Sequence, residues 1–385
     1  MYQISKTSLS EVFKRLTKSN MTKNTIKCFD PDITEADITA ASKVIESRIL
    51  AFGPNVEKFE NLYSSFSKKK NNIGFNSASS AAYLLFQYLY EINGPCRVYT
   101  PSIAFVSPVF AAIKNHHEVC FIDVDENLLI DAADLKKKFI NDNKTSIVMP
   151  ILYGGVSTIG SFEEETKDLK FTLVIDSAHC ISPTMNYDYA FYSFHPVKPI
   201  CMSNGGLLAT DHTHASEYMK SGRNFGRKIT GDTYDLVQSG FNFYMNNLNA
   251  ALGLSQIQRS AANVAKRREN FEFLRDNIPS DLGYFTSHDD KSSYYLSTLV
   301  LKEEYSSAIM RKSLIEKDIQ ASFHYPFLHK TEYYRSEVSL PNTDSMEDKI
   351  INLPIHQNLT KKDLERIINE CIHYSRSGRQ SRPKA

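Results

Sequence analysis

The sequence has no excess of either charge: 45 lysines and arginines stand against 44 aspartates and glutamates, a formal charge of +1. That balance argues against a chain built to coat nucleic acid or an anionic membrane, and leaves room for a local basic pocket. Closely spaced cysteines are also missing. Cys28, Cys96, Cys120, Cys180, Cys201 and Cys371 form no CxxC or CxC pair. They read as scattered thiols in a reducing compartment, and the sequence-local metal and redox motifs are excluded. No apolar run approaches the roughly 20 residues that span a bilayer. The opening MYQISKTSLSEVFKRL has no apolar h-region, so the expected location is the cytoplasm. There is no internal repeat. No GxGxxG follows the first strand-like run, which disfavours a nicotinamide-binding Rossmann enzyme.

What is present is an ordinary globular composition, 42% hydrophobic and 23% charged over 385 residues. At roughly 150 residues per domain, the length allows about two to three domains. Such a chain buries well over half of its unfolded surface without disulfides or a structural metal. Residues 1–28 read as an N-terminal extension, with a short helix at Ser8 to Leu16. Residues 29–255 read as a large domain. Residues 256–375 read as a connecting helix (Gln256 to Asp276) and a small C-terminal α+β domain, with strand-like runs SSYYLSTLVL and ASFHYP and a final helix from Lys361 to Tyr374. Residues 376–385, RSGRQSRPKA, read as a basic disordered tail.

In the large domain, apolar β-type runs alternate with helical patterns. PDITEADITAASKVIESRILA has helical spacing. NNIGF, RVYTPS, EVCFIDVD, SIVMPILYG, FTLVIDSAH, YAFYSFH and GGLLATD are strand-like, with helices expected from Ala81 to Glu91, in FVSPVFAAIKNH and in AADLKKKFI. The expected class is α/β: a large, mainly parallel sheet covered by helices on both faces, whose strands are continuous apolar runs.

Ligands of such sheets bind beyond the carboxyl ends of the strands, so the residues there matter most. Asn76-Ser77-Ala78-Ser79-Ser80-Ala81 opens a helix with small residues, which suits an anion at a helix N-terminus and equally suits a plain N-cap. Phe105, in Pro101-Ser102-Ile103-Ala104-Phe105, can lie on a planar ligand or pack in a core. Asp176 ends the apolar run Leu173-Val174-Ile175; a carboxylate there is costly to bury unless it caps the chain or meets a cation. Lys198, in Tyr192-Ser193-Phe194-His195-Pro196-Val197-Lys198-Pro199, precedes proline and is biased out of helix. A lysine fixed in a sheet-end loop can act as an amine nucleophile. Phosphate loop, stacking ring, carboxylate and lysine, in that order, describe one ligand: pyridoxal 5′-phosphate (PLP).

Together these segments resemble the DegT/DnrJ/EryC1/StrS family of PLP-dependent sugar aminotransferases, over about Phe29 to Tyr374. The Ser-Phe-His-Pro-Val-Lys run is the most specific match. Phe52-Gly53-Pro54 with Phe59-Glu60, Gly240-Phe241-Asn242 with Met245 to Ala251, His324-Tyr325-Pro326 and Leu353-Pro354-Ile355-His356 support it. The resemblance implies the type I aminotransferase fold, and Lys198 joined to the cofactor aldehyde as an imine. It implies Asp176 on the pyridine nitrogen, His179 near the ring hydroxyl, and Phe105 stacked on the ring. Ala78, Ser79 and Ser193 would hold the phosphate, and Asn242 would reach the phosphate of the neighbouring subunit in a homodimer with shared active sites.

The implied activity is transfer of an amino group from glutamate or glutamine to a keto group of a nucleotide-linked sugar, in the setting of polysaccharide biosynthesis. Arg223, Arg227, Lys228 and His324 are the candidate substrate contacts, the three cations for the diphosphate. Amination of a cyclitol ketone and a non-catalytic PLP-binding regulatory protein are the alternatives. Branches of the family that replace the lysine with histidine, or add an iron–sulfur cluster, do not fit Lys198 and the cysteine spacing. The sequence departs from the family pattern at Ser203-Asn204-Gly205-Gly206 (usually Gly-Glu-Gly-Gly), Ala78-Ser79 (Gly-Thr), Tyr244 (Arg), Ile151 (His), Ile49 (Trp) and Ala51 (Thr). Most of these positions lie on the substrate side.

Overall fold

The computed structural model describes residues 24–377. The expected helix at Ser8 to Leu16, and residues 378–385 of the basic tail, lie outside the described residues.

Seven apolar runs form one sheet: β1 (Asn71–Phe75), β2 (Arg97–Pro101), β3 (Glu118–Ile122), β4 (Ser146–Val148), β5 (Thr172–Asp176), β6 (Tyr189–Ser193) and β7 (Gly206–Thr210). Their spatial order is β1-β7-β6-β5-β4-β2-β3. All neighbours from β6 to β3 pair in parallel, whereas β7 runs antiparallel to both β6 and β1. The carboxyl ends of β1 to β6 and the amino end of β7 therefore share one edge. Helices fill both faces. Phe59, Tyr63 and Phe194 pack on one side, and Leu84, Leu85, Phe86 and Met219 on the other, all buried. Burial on both faces is why the strands read as unbroken apolar runs.

The helix expected over residues 31–51 spans Glu35–Ser47, begun by a Thr34/Asp37 capping box. The one expected at Ala81 starts earlier, at Ala78, because Ser77 caps it through Ser80 N–H at 3.1 Å. The long helix expected from Gln256 to Asp276 is present as Ser260–Asn277, and Gln256 and Ile257 instead end a separate helix, Asn247–Ile257. The break falls where Arg259 pairs with Asp32 and the buried Asp37, groups more than 200 residues away. The ASFHYP run forms no strand, only a bridge from Ser322 to Asn352.

Strands β8 (Arg227–Thr230) and β9 (Thr233–Leu236), which the apolar pattern did not reveal, form an exposed hairpin. The small C-terminal sheet is β10 (Gly283–Phe285), β11 (Ser297–Leu301) and β12 (Ile350–Leu353), in the order β10-β11-β12 and fully antiparallel. It packs with the helices Ser307–Glu316 and Lys361–Ser377. Residue Ile26 pairs with Ile319, so the first described segment runs beside this sheet. Among the described residues no helix is long and apolar enough to cross a membrane.

Candidate active site

A cavity of about 450 Å³ opens at the shared strand edge. It is lined by Ala78, Ser79, Phe105, Asp176, Ser193, Lys198 and His324, seven of the residues singled out from sequence. Ser77, Ser107, Asn204, Tyr295 and Tyr325 complete much of the wall.

Lys198 is held by its own turn. Its N–H donates to the His195 carbonyl at 2.8 Å, and Pro199 prevents helical continuation. The loop is pinned to the start of β7, with Phe194 N–H on Gly205 O at 2.9 Å and Met202 N–H on Phe194 O at 2.8 Å. The Phe194 ring anchors it edge-on against Phe59 and Tyr63, at 5.2 and 5.4 Å. Loss of solvent lowers the Lys198 amine from 10.5 to about 7, against the opposing pull of Asp176. A fraction of the amine is therefore uncharged and nucleophilic near neutral pH.

Asp176 ends β5, buried, with its backbone tied to the β4 exit: its N–H donates to Pro150 O at 2.9 Å and its carbonyl accepts from Leu152 at 3.1 Å. Burial raises its carboxyl to about 6; the Ala178 N–H at 3.0 Å and the Lys198 charge offset only part of the cost. A buried carboxylate with one hydrogen bond is suited to an added cation.

Ser77 uses its side chain on Ser80 N–H and its carbonyl on Ala81 N–H, so the first two N–H groups of the helix, on Ala78 and Ser79, are the donors left for an anion. Gly206 makes this cradle possible: a Cβ there would lie 2.2 Å from the Ser77 carbonyl carbon and 2.3 Å from Ala78 N. Gly206→Ala is expected to displace this turn and destabilise the fold by about 1–3 kcal/mol, read as a lower melting temperature. The Phe105 ring is 48% exposed at the mouth, available for stacking.

His179 lies behind the cavity wall, buried, with Nε2 2.7 Å from the Tyr325 hydroxyl. Its Nδ1 is buried without a partner among the described residues. Burial holds its pKa well below the usual value. His324 receives the Asn352 side-chain N–H at 3.1 Å on Nδ1, and burial lowers it to about 3.

The remaining expectations fare differently. Asn242 is exposed and does not border this cavity; its carbonyl accepts from Asn76 at 3.1 Å. Arg223, Arg227 and Lys228 line a separate cavity of about 770 Å³. Arg223 is buried, paired with Glu60, and donates to Gly74 O at 2.7 Å. The Arg227 guanidinium sits between the Phe225 and Tyr234 rings, at 4.9 and 4.5 Å. Lys228 is exposed on the hairpin. Of the departures, Asn204 lines the Lys198 cavity, Ser203 bonds Asn249 at 2.6 Å, and Ile151 is buried beside Asp176. Sequence reasoning assigned no role to Tyr325 or Tyr295. Tyr325 was within reach, because it sits inside the His-Tyr-Pro match. Tyr295 gave no signal, because its run reads as an ordinary apolar strand.

A lysine amine, a buried carboxylate and a small-residue anion cradle at the edge of this sheet define an aminotransferase site of the type I class. The chain belongs to the DegT/DnrJ/EryC1/StrS aminotransferase family, whose model matches residues 31–371. It is 27% identical over 363 residues, 89% of this chain and 96% of the relative, to the UDP-4-amino-4,6-dideoxy-N-acetyl-beta-L-altrosamine transaminase of Helicobacter pylori. Among solved structures it is similar to Helicobacter pylori PseC, an aminotransferase involved in the biosynthesis of pseudoaminic acid. There the TM-score is 0.85 at 24% identity, covering 92% of this chain and all (100%) of the other. It is also similar to Spr1654 from Streptococcus pneumoniae in its PLP form, with TM-score 0.83 at 20% identity, covering 92% and 99%. These structures establish the shared fold. The protein is an aminotransferase.

Proposed function

We propose that this aminotransferase uses PLP to move an amino group from glutamate or glutamine to a keto group of a nucleotide-linked sugar. The observation that carries the reading is the meeting of Lys198 and Asp176 on one cavity beside the Ser77–Ser79 cradle. The residues fit the cofactor on two further counts. The orphaned Nδ1 of His179 suits a ring hydroxyl oxygen, and the missing Cβ of Gly206 leaves the anion cradle intact. The Helicobacter relative, named for a UDP-sugar substrate, supports the sugar class.

When bound, PLP supplies an electron-accepting ring that stabilises negative charge on a neighbouring carbon. Lys198 holds the cofactor aldehyde. Its freed amine would hold and move a proton beside the cofactor, as base and then acid. Asp176 keeps the ring nitrogen protonated. Ala78 and Ser79 would hold the phosphate through backbone N–H groups, with Ser193 at the same wall, and Phe105 would be available to the ring. Asn242 and the hairpin cations Arg227 and Lys228, all outside the protomer's own cavity, are the groups offered to a partner's site in a homodimer.

The test begins with colour. Protein loaded with PLP should be yellow, borohydride should fix the cofactor to Lys198, and glutamate should discharge the colour. UDP-, dTDP-, GDP- and CMP-sugars are then screened by thermal shift; stabilisation by none of them rejects the sugar substrate. Tyr325→Phe is expected to weaken cofactor affinity about two- to tenfold, the worth of one hydrogen bond orienting His179. Unchanged affinity in an absorbance titration would contradict that role.

A further inference from the structure

Tyr295 comes from the small domain, two residues before β11, yet its ring forms part of the Lys198 cavity wall. Lys198 Nζ sits 4.1 Å from the ring centroid. The ring is fixed by its surroundings. Phe29 stacks on it at 5.5 Å and 21°, and the His179 ring lies 4.4 Å away. Its backbone is clamped to the large domain: Tyr295 and Leu296 N–H both donate to Gly154 O, at 2.9 and 3.0 Å, and Ser293 N–H to Gly155 O at 2.6 Å. Gly155 permits the approach, because a Cβ there would lie 2.8 Å from His179 O and 3.0 Å from Tyr295 N. The residue is 1% exposed, so the ring cannot turn away.

The other groups that face Lys198 decide what this ring does. Asp176 from β5 favours the charged amine. His179 from the following loop, His195 from the lysine's own loop and His324 from the small domain are all held toward the neutral form by burial. Tyr325 and Tyr295 keep their phenolic protons, since burial raises both. Against the loss of solvent, among the described residues the Asp176 charge and the Tyr295 ring face support an ammonium, the ring through its quadrupole.

We propose that Tyr295 is a positioning residue for Lys198: its ring face seats the amine whenever the lysine is not covalently engaged, and favours its charged, proton-carrying form. The proposal rests on the reading of Lys198 as the cofactor lysine. The small domain thereby contributes to the protonation of a lysine carried by the large one.

The test follows capture of PLP by stripped full-length protein from pH 6 to 9.5, read as the rate at which the yellow adduct appears. Capture needs the uncharged amine, so the rate rises through the pKa of Lys198. Tyr295→Phe keeps the ring face and should match the wild type. Tyr295→Leu keeps apolar bulk but loses the face. Its midpoint should fall by about half to one and a half pH units, with faster capture below neutrality. Phe29→Leu, which loosens the ring from behind and leaves the cavity wall in place, should move the midpoint the same way by less, and it serves if the leucine variant at 295 does not fold. Coincident profiles for wild type and both leucine variants overturn the proposal, as does a phenylalanine variant that behaves like leucine. Failure of the wild type itself to attach PLP at Lys198 is a different result, and it removes the underlying reading.

Discussion

Lys198→Ala is expected to lower amino transfer by on the order of 10²- to 10⁴-fold, and to abolish borohydride-stable attachment of PLP. On the proposed reading the lysine has two tasks, holding the aldehyde and moving the proton, and among the described residues no other amine lines the cavity. Its neighbours cannot replace it. His195, His179 and His324 are drawn below the normal histidine range by burial, and none carries a primary amine. The fold should survive, because Lys198 contributes to its loop through backbone contacts that alanine keeps. A melt close to the wild type, with loss of the covalent product in an intact mass spectrum, is the expected pair of results. A yellow, borohydride-fixable alanine variant would show that the cofactor lysine lies elsewhere.

Asp176→Ala should have the second largest effect. Removing one member of a buried ion pair costs on the order of 3–5 kcal/mol, or about 10² to 10³·⁵ in affinity, so both cofactor retention and rate should fall. Asp176→Asn separates charge from shape: it can still accept from Ala178 N–H, but cannot keep a ring nitrogen protonated. The same residue gives a pH signature in stripped protein. Its folded pKa, about 6, is raised above the 3.8 of an ordinary Asp. The folded chain therefore binds that proton more tightly than the unfolded chain. Stability should fall as pH rises from about 4 to 6 and level off above that. Thermal melts across this range should show a component of the slope that disappears in Asp176→Asn. An identical slope in the two proteins would mean that Asp176 is not buried as described.

Much of this was legible without coordinates where the determinants are local. A strand buried on both faces must be apolar throughout, so β1 to β7 announced themselves, and the residues just beyond them could be picked out as site candidates. Lys198 stood out because it combines a strand end, a preceding Ser-Phe-His-Pro and a following proline. The misses share another cause. Arg259, between two helices, pairs with carboxylates more than 200 residues away, and Arg223 pairs with Glu60, partners that no window of neighbouring residues contains. The β8–β9 hairpin is exposed and has no buried face to impose a pattern.

The sequence by itself determined the class of sheet, the family, and which lysine, carboxylate and small-residue turn belong together, because each lies at a chain position that local physics marks. Only the tertiary structure decided which cations are already spent inside the fold and that Tyr325 meets His179. It also decided that Tyr295, just before β11, lies against the amine of Lys198. Those outcomes depend on distances between segments far apart along the chain, which packing of the finished fold alone sets.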